Sequence, residues 1–265
     1  MRNAKTSLGE APANDRQFVI ALARGLQILS CFSASSPELT GSELARLTGL
    51  PQPTVWRLCY TMLELGMLIR TSGEKMRPGL SVLRLGHSAL AGLDTIALAR
   101  PHLQEIAVRY RGACNIAMCQ GLDMVIAERC EGPSQLLMNL KRGSVLQIAN
   151  SGLGWAWLAG LPDAERAQLI AAIEHSPQQD WPSSRKAFKA ALSGYRRDGF
   201  IINEAIFHPD YTTVAVPVID RHGKVYCALN CGAPSSTLSP KRMREEVGPA
   251  LVNLARLLES SQSIS

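Results

Sequence analysis

A chain of 265 residues, 46% of them apolar, is long enough for one or two domains with a real core. It holds no apolar run near the roughly 18 residues of a membrane span, and its seven cysteines lack the tight spacings of a disulfide scaffold, which fits reduced thiols in a cytoplasmic protein. The net charge is +6; residues 1–80 hold nine Lys/Arg against six Asp/Glu and the other 185 hold nineteen against sixteen, so the basic excess is denser at the N-terminal end, which is compatible with a nucleic-acid partner there.

Residues 1–17 are polar and small, without the apolar stretch of a signal peptide, and are expected to form a disordered arm. FVIALARGLQILSCF (18–32) repeats Val19, Leu22, Leu26, Leu29 and Phe32 at helical spacing, which predicts one buried stripe. Thr40-Gly41-Ser42-Glu43 has the form of a capping box. It opens a short helix with Leu44 and Leu47 inward, ended by Gly49. After the turn Leu50-Pro51-Gln52, a helix from Pro53 to Leu65 gathers Val55, Leu58, Cys59, Met62 and Leu65 on one side. Its other side carries Pro53, Trp56, Arg57, Tyr60 and Glu64, with Thr54 and Thr61 at one edge. A hairpin with basic arms, Met67–Arg70 and Glu74–Arg77, follows around Gly73.

A connecting helix is expected from Leu80 to about Leu98, and a second one opening at Pro101 with Leu103, Ile106 and Tyr110 inward. After Gly112 the pattern shortens. CNIAMC, DMVIAERC and SQLLMNL (134–140) are strand candidates, helices fit 152–160, 163–174 and 184–198, and FIIN, YTTVAVPV and KVYCALNC are strands. A closing helix over 240–260 aligns Met243, Val247, Leu251, Leu254 and Leu258. Strands interleaved with helices imply an α/β domain over about 100–262.

Three helices and a hairpin, with a wet aromatic and basic face on the third helix, describe a winged helix-turn-helix over residues 18–79. Such a helix enters the major groove. Arg57 suits a phosphate or a guanine edge; Gln52 and Thr54 sit at the helix start, beside Pro53, where backbone N–H groups favour phosphate. Trp56, Tyr60 and Thr61 complete the face, and Arg70, Lys75 and Arg77 place the hairpin over backbone or minor groove. A double-stranded DNA operator is the expected partner. The same pattern leaves a plain packing module open, its aromatics docked on another domain.

The motifs ARGLQILSCF (23–32), LTGSELARLTGLPQPTVWRL (39–58), LGML (65–68), MRPGLSVLRLG (76–86), NSGLGWAWLA (150–159), DGFIINE (198–204) and TTVAVPVIDRHGKVYCALNCGAP (212–234) follow one another in an order that resembles the IclR family of transcription regulators, from about Phe18 to Leu258. The resemblance implies a winged helix-turn-helix, a linker helix over 80–99 and a GAF-like effector-binding domain over 100–262. It implies dimers that often pair into tetramers, inverted-repeat operators, and effectors that are small organic acids or aromatic metabolites. Carried over by position, Ser151, Gly152, Leu153 and Gly154 are the helix start near the effector. Asn203, Tyr211, Thr213, Asn230 and Gly232 are sheet positions facing it, with Asn203, Thr213 and Asn230 suited to hold a carboxylate by neutral hydrogen bonds. Departures stand at Trp155, Ala205, Asp210, Tyr211 and Gly232, and Trp155 is expected to pack under the sheet.

The five histidines fall in no metal-ligand spacing, and there is no GxSxG and no phosphate-cradling glycine loop. No cofactor, metal or catalytic residue is expected. Cys227 and Cys231 stand about 13 Å apart on one strand, too far to share a metal. A Cys–His pair such as Cys227 or Cys114 with His208, and an interaction protein whose second domain binds only protein, remain as alternatives.

Overall fold

A computed structural model describes residues 17–33, 35–91, 94–133 and 140–261. The arm expected over 1–17 lies outside them apart from Gln17, as does the strand expected over 134–140 apart from Leu140. The chain divides into two compact units, residues 1–92 and 93–265.

The first unit runs α1 (Ile20–Leu29), β1 (Leu39–Thr40), α2 (Gly41–Thr48), α3 (Gln52–Glu64), β2 (Leu68–Arg70), β3 (Lys75–Pro78) and α4 (Leu80–Ala91). The capping box forms as expected. The Glu43 N–H donates to Thr40 Oγ1 at 3.2 Å, and the Thr40 N–H donates back to Glu43 Oε2 at 2.7 Å. That returned bond holds the Glu43 carboxyl below the usual carboxylate range. Gly49, at φ +68°, ends α2 in the left-handed region where a side chain would be strained. Ile28, Leu44, Val55, Cys59, Met62, Leu68 and Met76 form the core. Each fully buried Leu, Ile, Val or Met there contributes about 1.5–3 kcal/mol.

Several positions differ from the sequence pattern. Val19, Leu22 and Leu26 are exposed, and the first helix is anchored instead by Ile28, with Leu29 and Phe32 partly buried. Leu47 and Leu65 are also exposed. Periodicity marks an apolar face but does not say what covers it, and the small three-helix core is already filled. β1 was not anticipated; it is two residues long, too short to alternate, and pairs with β3 in a sheet of order β1-β3-β2.

The second unit begins with α5 (Asp94–Arg109), which continues through Pro101. The linker helix is described as far as Ala91, and the helix expected to open at Pro101 is already helical at Asp94, seven residues earlier. Pro101 deprives the Ala97 carbonyl of its helical donor, but Ala97 is exposed, so water serves it. Burial of Ala99, Leu103, Ile106 and Ala107 outweighs the local rule. The strands are β4 (Ala113–Gln120), β5 (Asp123–Glu131), β6 (Val145–Gln147), β7 (Ile201–Glu204), β8 (Tyr211–Ile219) and β9 (Val225–Pro234). They form an antiparallel sheet of order β6-β5-β4-β9-β8-β7. Between β6 and β7 come α6 (Gly152–Gly160), α7 (Asp163–Glu174) and α8 (Trp181–Asp198), the last three residues longer at its start than its pattern. The chain closes with α9 (Pro240–Arg242), a π turn over Met243–Val247 and α10 (Gly248–Ser260).

Helices cover both faces of this sheet. Leu103 and Ile106 of α5, with Leu251, Leu254 and Leu258 of α10, pack on Val214, Val216 and Leu229. On the other face Leu153, Trp155 and Phe188 pack on Ala117, Ala215 and Ala228. Alanine and glycine let α6 come close: a Cβ on Gly154 would stand 2.4 Å from the Cα of Ile148. Trp155 packs as expected, donating from Nε1 to the Ala149 carbonyl at 2.7 Å, with Phe188 edge-on at 5.7 Å between ring centroids. Under α5, Cys130, Cys114 and Cys231 lie side by side on three adjacent strands. Burial pushes the Cys114 thiol well up.

Candidate functional sites: a wet helix face and a donor-lined cavity

In the first unit α3 presents Trp56 and Tyr60, 52% and 56% exposed, beside the exposed Arg57 and Thr61. The spacing of Val55, Cys59 and Met62 on the core side dictates this. The hairpin reaches back to the same face: the Arg70 guanidinium lies over the Trp56 ring, 5.4 Å from its centroid, a contact worth about 0.5–1 kcal/mol at an exposed site. Lys75 and Arg77 are exposed on β3. Gln52 donates to Ser42 Oγ at 3.0 Å, and Thr61 Oγ1 donates to the Arg57 carbonyl at 3.1 Å. The anion niche expected at the start of α3 is reduced. Pro53 has no N–H, and the Thr54 N–H already donates to the Pro51 carbonyl at 2.9 Å. The Gln52 N–H is what the helix start offers there.

In the second unit a cavity of about 20 Å³ opens between the start of α6 and the sheet. Six of the nine effector positions read from the sequence line it: Ser151, Gly152, Leu153, Tyr211, Thr213 and Asn230. The other three do not. Gly154 is pressed against the Ile148 backbone, and Gly232 lies beneath the Tyr211 ring, where a Cβ would meet ring atoms at 2.5 Å. Asn203 is fully buried, donating from Nδ2 to the Asn150 carbonyl at 3.3 Å. Ser151 lines the wall, but its hydroxyl is committed to capping α6. It accepts from the Gly154 N–H at 3.1 Å and donates to the Gln147 carbonyl at 2.6 Å.

Two polar residues missed in the sequence complete the wall, Asn115 and Arg129. Register places them opposite each other on β4 and β5, and Asn115 opposite Asn230 on β9. Arg129 Nη1 donates to Asn115 Oδ1 at 3.0 Å, and Asn115 Nδ2 donates to Asn230 Oδ1 at 2.8 Å. Arg129 Nε donates to Glu131 Oε1 at 2.6 Å, and the arginine side chain is 6% exposed. Within DMVIAERCE nothing singles out Arg129 from its acidic neighbours Glu128 and Glu131; the pairing with Asn115 does. Four groups at the cavity make no side-chain hydrogen bond to any described residue: Arg129 Nη2, Tyr211 Oη, Thr213 Oγ1 and Asn230 Nδ2. Each is able to donate. The N–H groups of Gly152 and Leu153, in the first turn of α6, have no intrahelical acceptor and add to them. Burial raises the Tyr211 hydroxyl's pKa, and the nearby Arg129 charge opposes that. The apolar walls are Leu140, Leu146, Leu153 and Phe207. A larger groove of about 240 Å³ lies between α5 and α10, lined by His102, Glu105, Arg109, Tyr110 and Asn253 beside apolar side chains; none of the effector positions read from the sequence lies on it.

A winged helix-turn-helix followed by a separate α/β unit with a donor-lined cavity is the build of a transcriptional regulator with an effector domain. Residues 21–72 match the model of the IclR helix-turn-helix domain, and residues 87–260 match that of the bacterial transcriptional regulator IclR C-terminal domain. The chain belongs to the IclR family. It is 31% identical over 246 residues to the HTH-type transcriptional regulator TsaQ1/TsaQ2 of Comamonas testosteroni, covering 91% of this chain and 88% of that one. The crystal structure of an IclR family regulator from Brucella abortus superposes with a TM-score of 0.83 at 34% identity, over 97% of this chain and 98% of that one. An IclR homologue from Microbacterium hydrocarbonoxydans, solved in complex with 4-hydroxybenzoate, shares the fold with a TM-score of 0.72 at 21% identity, over 89% and 99% of the two chains.

Proposed function

We propose that this regulator works as a dimer whose two helix-turn-helix units read an inverted repeat, and that a small organic acid or aromatic metabolite modulates it. The exposed Trp56–Arg57–Tyr60 face of α3, braced by Arg70 from the hairpin, carries the proposal. Bound in a major groove, that face is covered and its cations meet phosphate or base edges. Gln52, Pro53, Thr54, Thr61, Lys75 and Arg77 border it and are assigned to the same interface. The exposed side chains of Val19, just before α1, and of Leu22 and Leu26 on it supply an apolar surface that a second copy would cover. Half-sites then lie about one helical turn apart, or a multiple of it, on one face of the duplex. The cavity suits an acceptor-rich effector, and a fold neighbour holds the carboxylate 4-hydroxybenzoate. Such an effector moves operator affinity only by its differential affinity for two states of the protein. No catalytic step is assigned to the second unit.

The test is a gel shift on DNA flanking the protein's own coding region, across a salt series. A discrete complex that resists competitor DNA and weakens steeply with salt is expected. Binding that any competitor removes equally, both on that fragment and in selection from random sequences, would refute the operator-reading role.

A further inference from the structure

We infer that Arg129 is the effector's anchor: the cavity takes the carboxylate of a small acid with an apolar body, and Glu131 competes with that carboxylate for the guanidinium. The inference rests on the effector-binding role proposed above and deepens it.

The unmade hydrogen bonds around the cavity share one character. Arg129 Nη2, Tyr211 Oη, Thr213 Oγ1 and Asn230 Nδ2 all have protons to give. The Gly152 and Leu153 N–H groups point from the positive end of α6. A ligand that pairs with such a set of open donors is rich in acceptors. A carboxylate matches a guanidinium geometrically and in charge. Arg129 is held for that task. The Asn115 amide fixes Nη1 and is itself fixed by Asn230, so the guanidinium is braced from behind while Nη2 stays open. The acid already on Arg129 is Glu131, which is 36% exposed at its side chain and meets Nε, not the open edge. Leu140, Leu146, Leu153 and Phe207 supply the apolar contacts for the rest of the molecule. As closed, the cavity of about 20 Å³ has space for little more than one water. Phe207, half-buried on the connection from β7 to β8, is the wall with room to give.

The experiment is thermal unfolding of the full-length protein with benzoate and with phenylacetate, each compared with its neutral carboxamide, followed by calorimetric titration. At least one acid is expected to raise the unfolding temperature while its amide does not. Arg129→Gln is expected to weaken binding of that acid at least tenfold, and Glu131→Gln to tighten it. The Glu131→Gln variant keeps the inference testable even if Arg129→Gln folds poorly. A purely structural Arg129–Glu131 pair predicts no tightening. Equal response to acid and amide, no response to either acid, or weaker binding by Glu131→Gln would overturn the inference. A gel shift on the same preparation separates the two claims. Specific DNA binding without acid binding removes only the Arg129 assignment, and acid binding without specific DNA removes only the operator-reading role.

Discussion

Replacing Gly154 by alanine tests how α6 is seated. The added Cβ would stand 2.4 Å from both the Cα and the carbonyl oxygen of Ile148, where favourable contact begins at about 3.5 Å. These are backbone atoms, so no side-chain rotation relieves the clash and the helix must back off by about 1 Å, losing roughly a quarter to a half of the dispersion energy at its packed face. Overpacking of this kind costs about 1–3 kcal/mol, and the rigid neighbour points to the upper part, about 2–3 kcal/mol. For a unit of this size each kcal/mol moves Tm by about 2–4 °C, giving a fall of roughly 4–12 °C. Gly194→Ala on α8 is the internal control. A Cβ there meets nothing within 4 Å, and removing a helical glycine gains about 0.5–1 kcal/mol. Its Tm is expected to rise by roughly 1–4 °C. Differential scanning calorimetry of the two full-length variants reads both. If Gly154→Ala unfolds at the wild-type temperature, or both substitutions shift Tm the same way, the close seating of α6 is wrong.

Thr40→Ala removes the cap of α2 and is expected to cost about 1 kcal/mol in urea unfolding. Because the folded state depresses the Glu43 carboxyl, its contribution is present above the ordinary glutamate pKa of about 4.3 and is lost as pH falls through the lower folded value; the stability gap between wild type and Glu43→Gln should therefore close in acid, and a gap that widens there would be the wrong sign. Arg57→Ala is expected to lose about 1–3 kcal/mol of operator affinity if the side chain meets a base, read by quantitative footprinting, and an unchanged footprint would displace it from the interface. Arg70→Ala should lower the salt slope of DNA binding by about one, as loss of one phosphate contact does, and quench or shift Trp56 fluorescence even without DNA, since the guanidinium lies over that ring.

Much of the architecture was legible because the patterns are long. The core side of α3 follows from Val55, Cys59 and Met62, and the closing stripe of Met243, Val247, Leu251, Leu254 and Leu258, from the π turn into α10, is buried throughout. Strands β8 and β9 are apolar runs covered on both faces, and such runs are recognisable without alternation. What failed did so for physical reasons. Val19, Leu22, Leu26, Leu47 and Leu65 obey the helical period yet face outward, since period is a property of one element and burial is a property of two. Pro101 marked a helix start locally, but tertiary packing of Ala99 and Leu103 carries the helix through it. At the cavity, the serine–glycine segment and the positions on β8 and β9 were legible by resemblance. Arg129 and Asn115 were not, because only the pairing of β4 with β5 and β9 brings them to Asn230, and register is not written in either strand alone.

The cysteine row beneath α5 also gives the second unit a gauge of its own breathing. Cys114 and Cys231 are fully buried, and burial holds the Cys114 thiol in its unreactive protonated form. Cys31 and Cys119, by contrast, are partly accessible. An alkylating reagent in excess therefore labels these two early and the buried thiols late, and peptide mapping follows the row under α5 among the late ones. The late rate counts how often that sheet is uncovered. A ligand that fills the cavity on the opposite face of the same sheet should slow it, so that native cysteines report occupancy without any added probe.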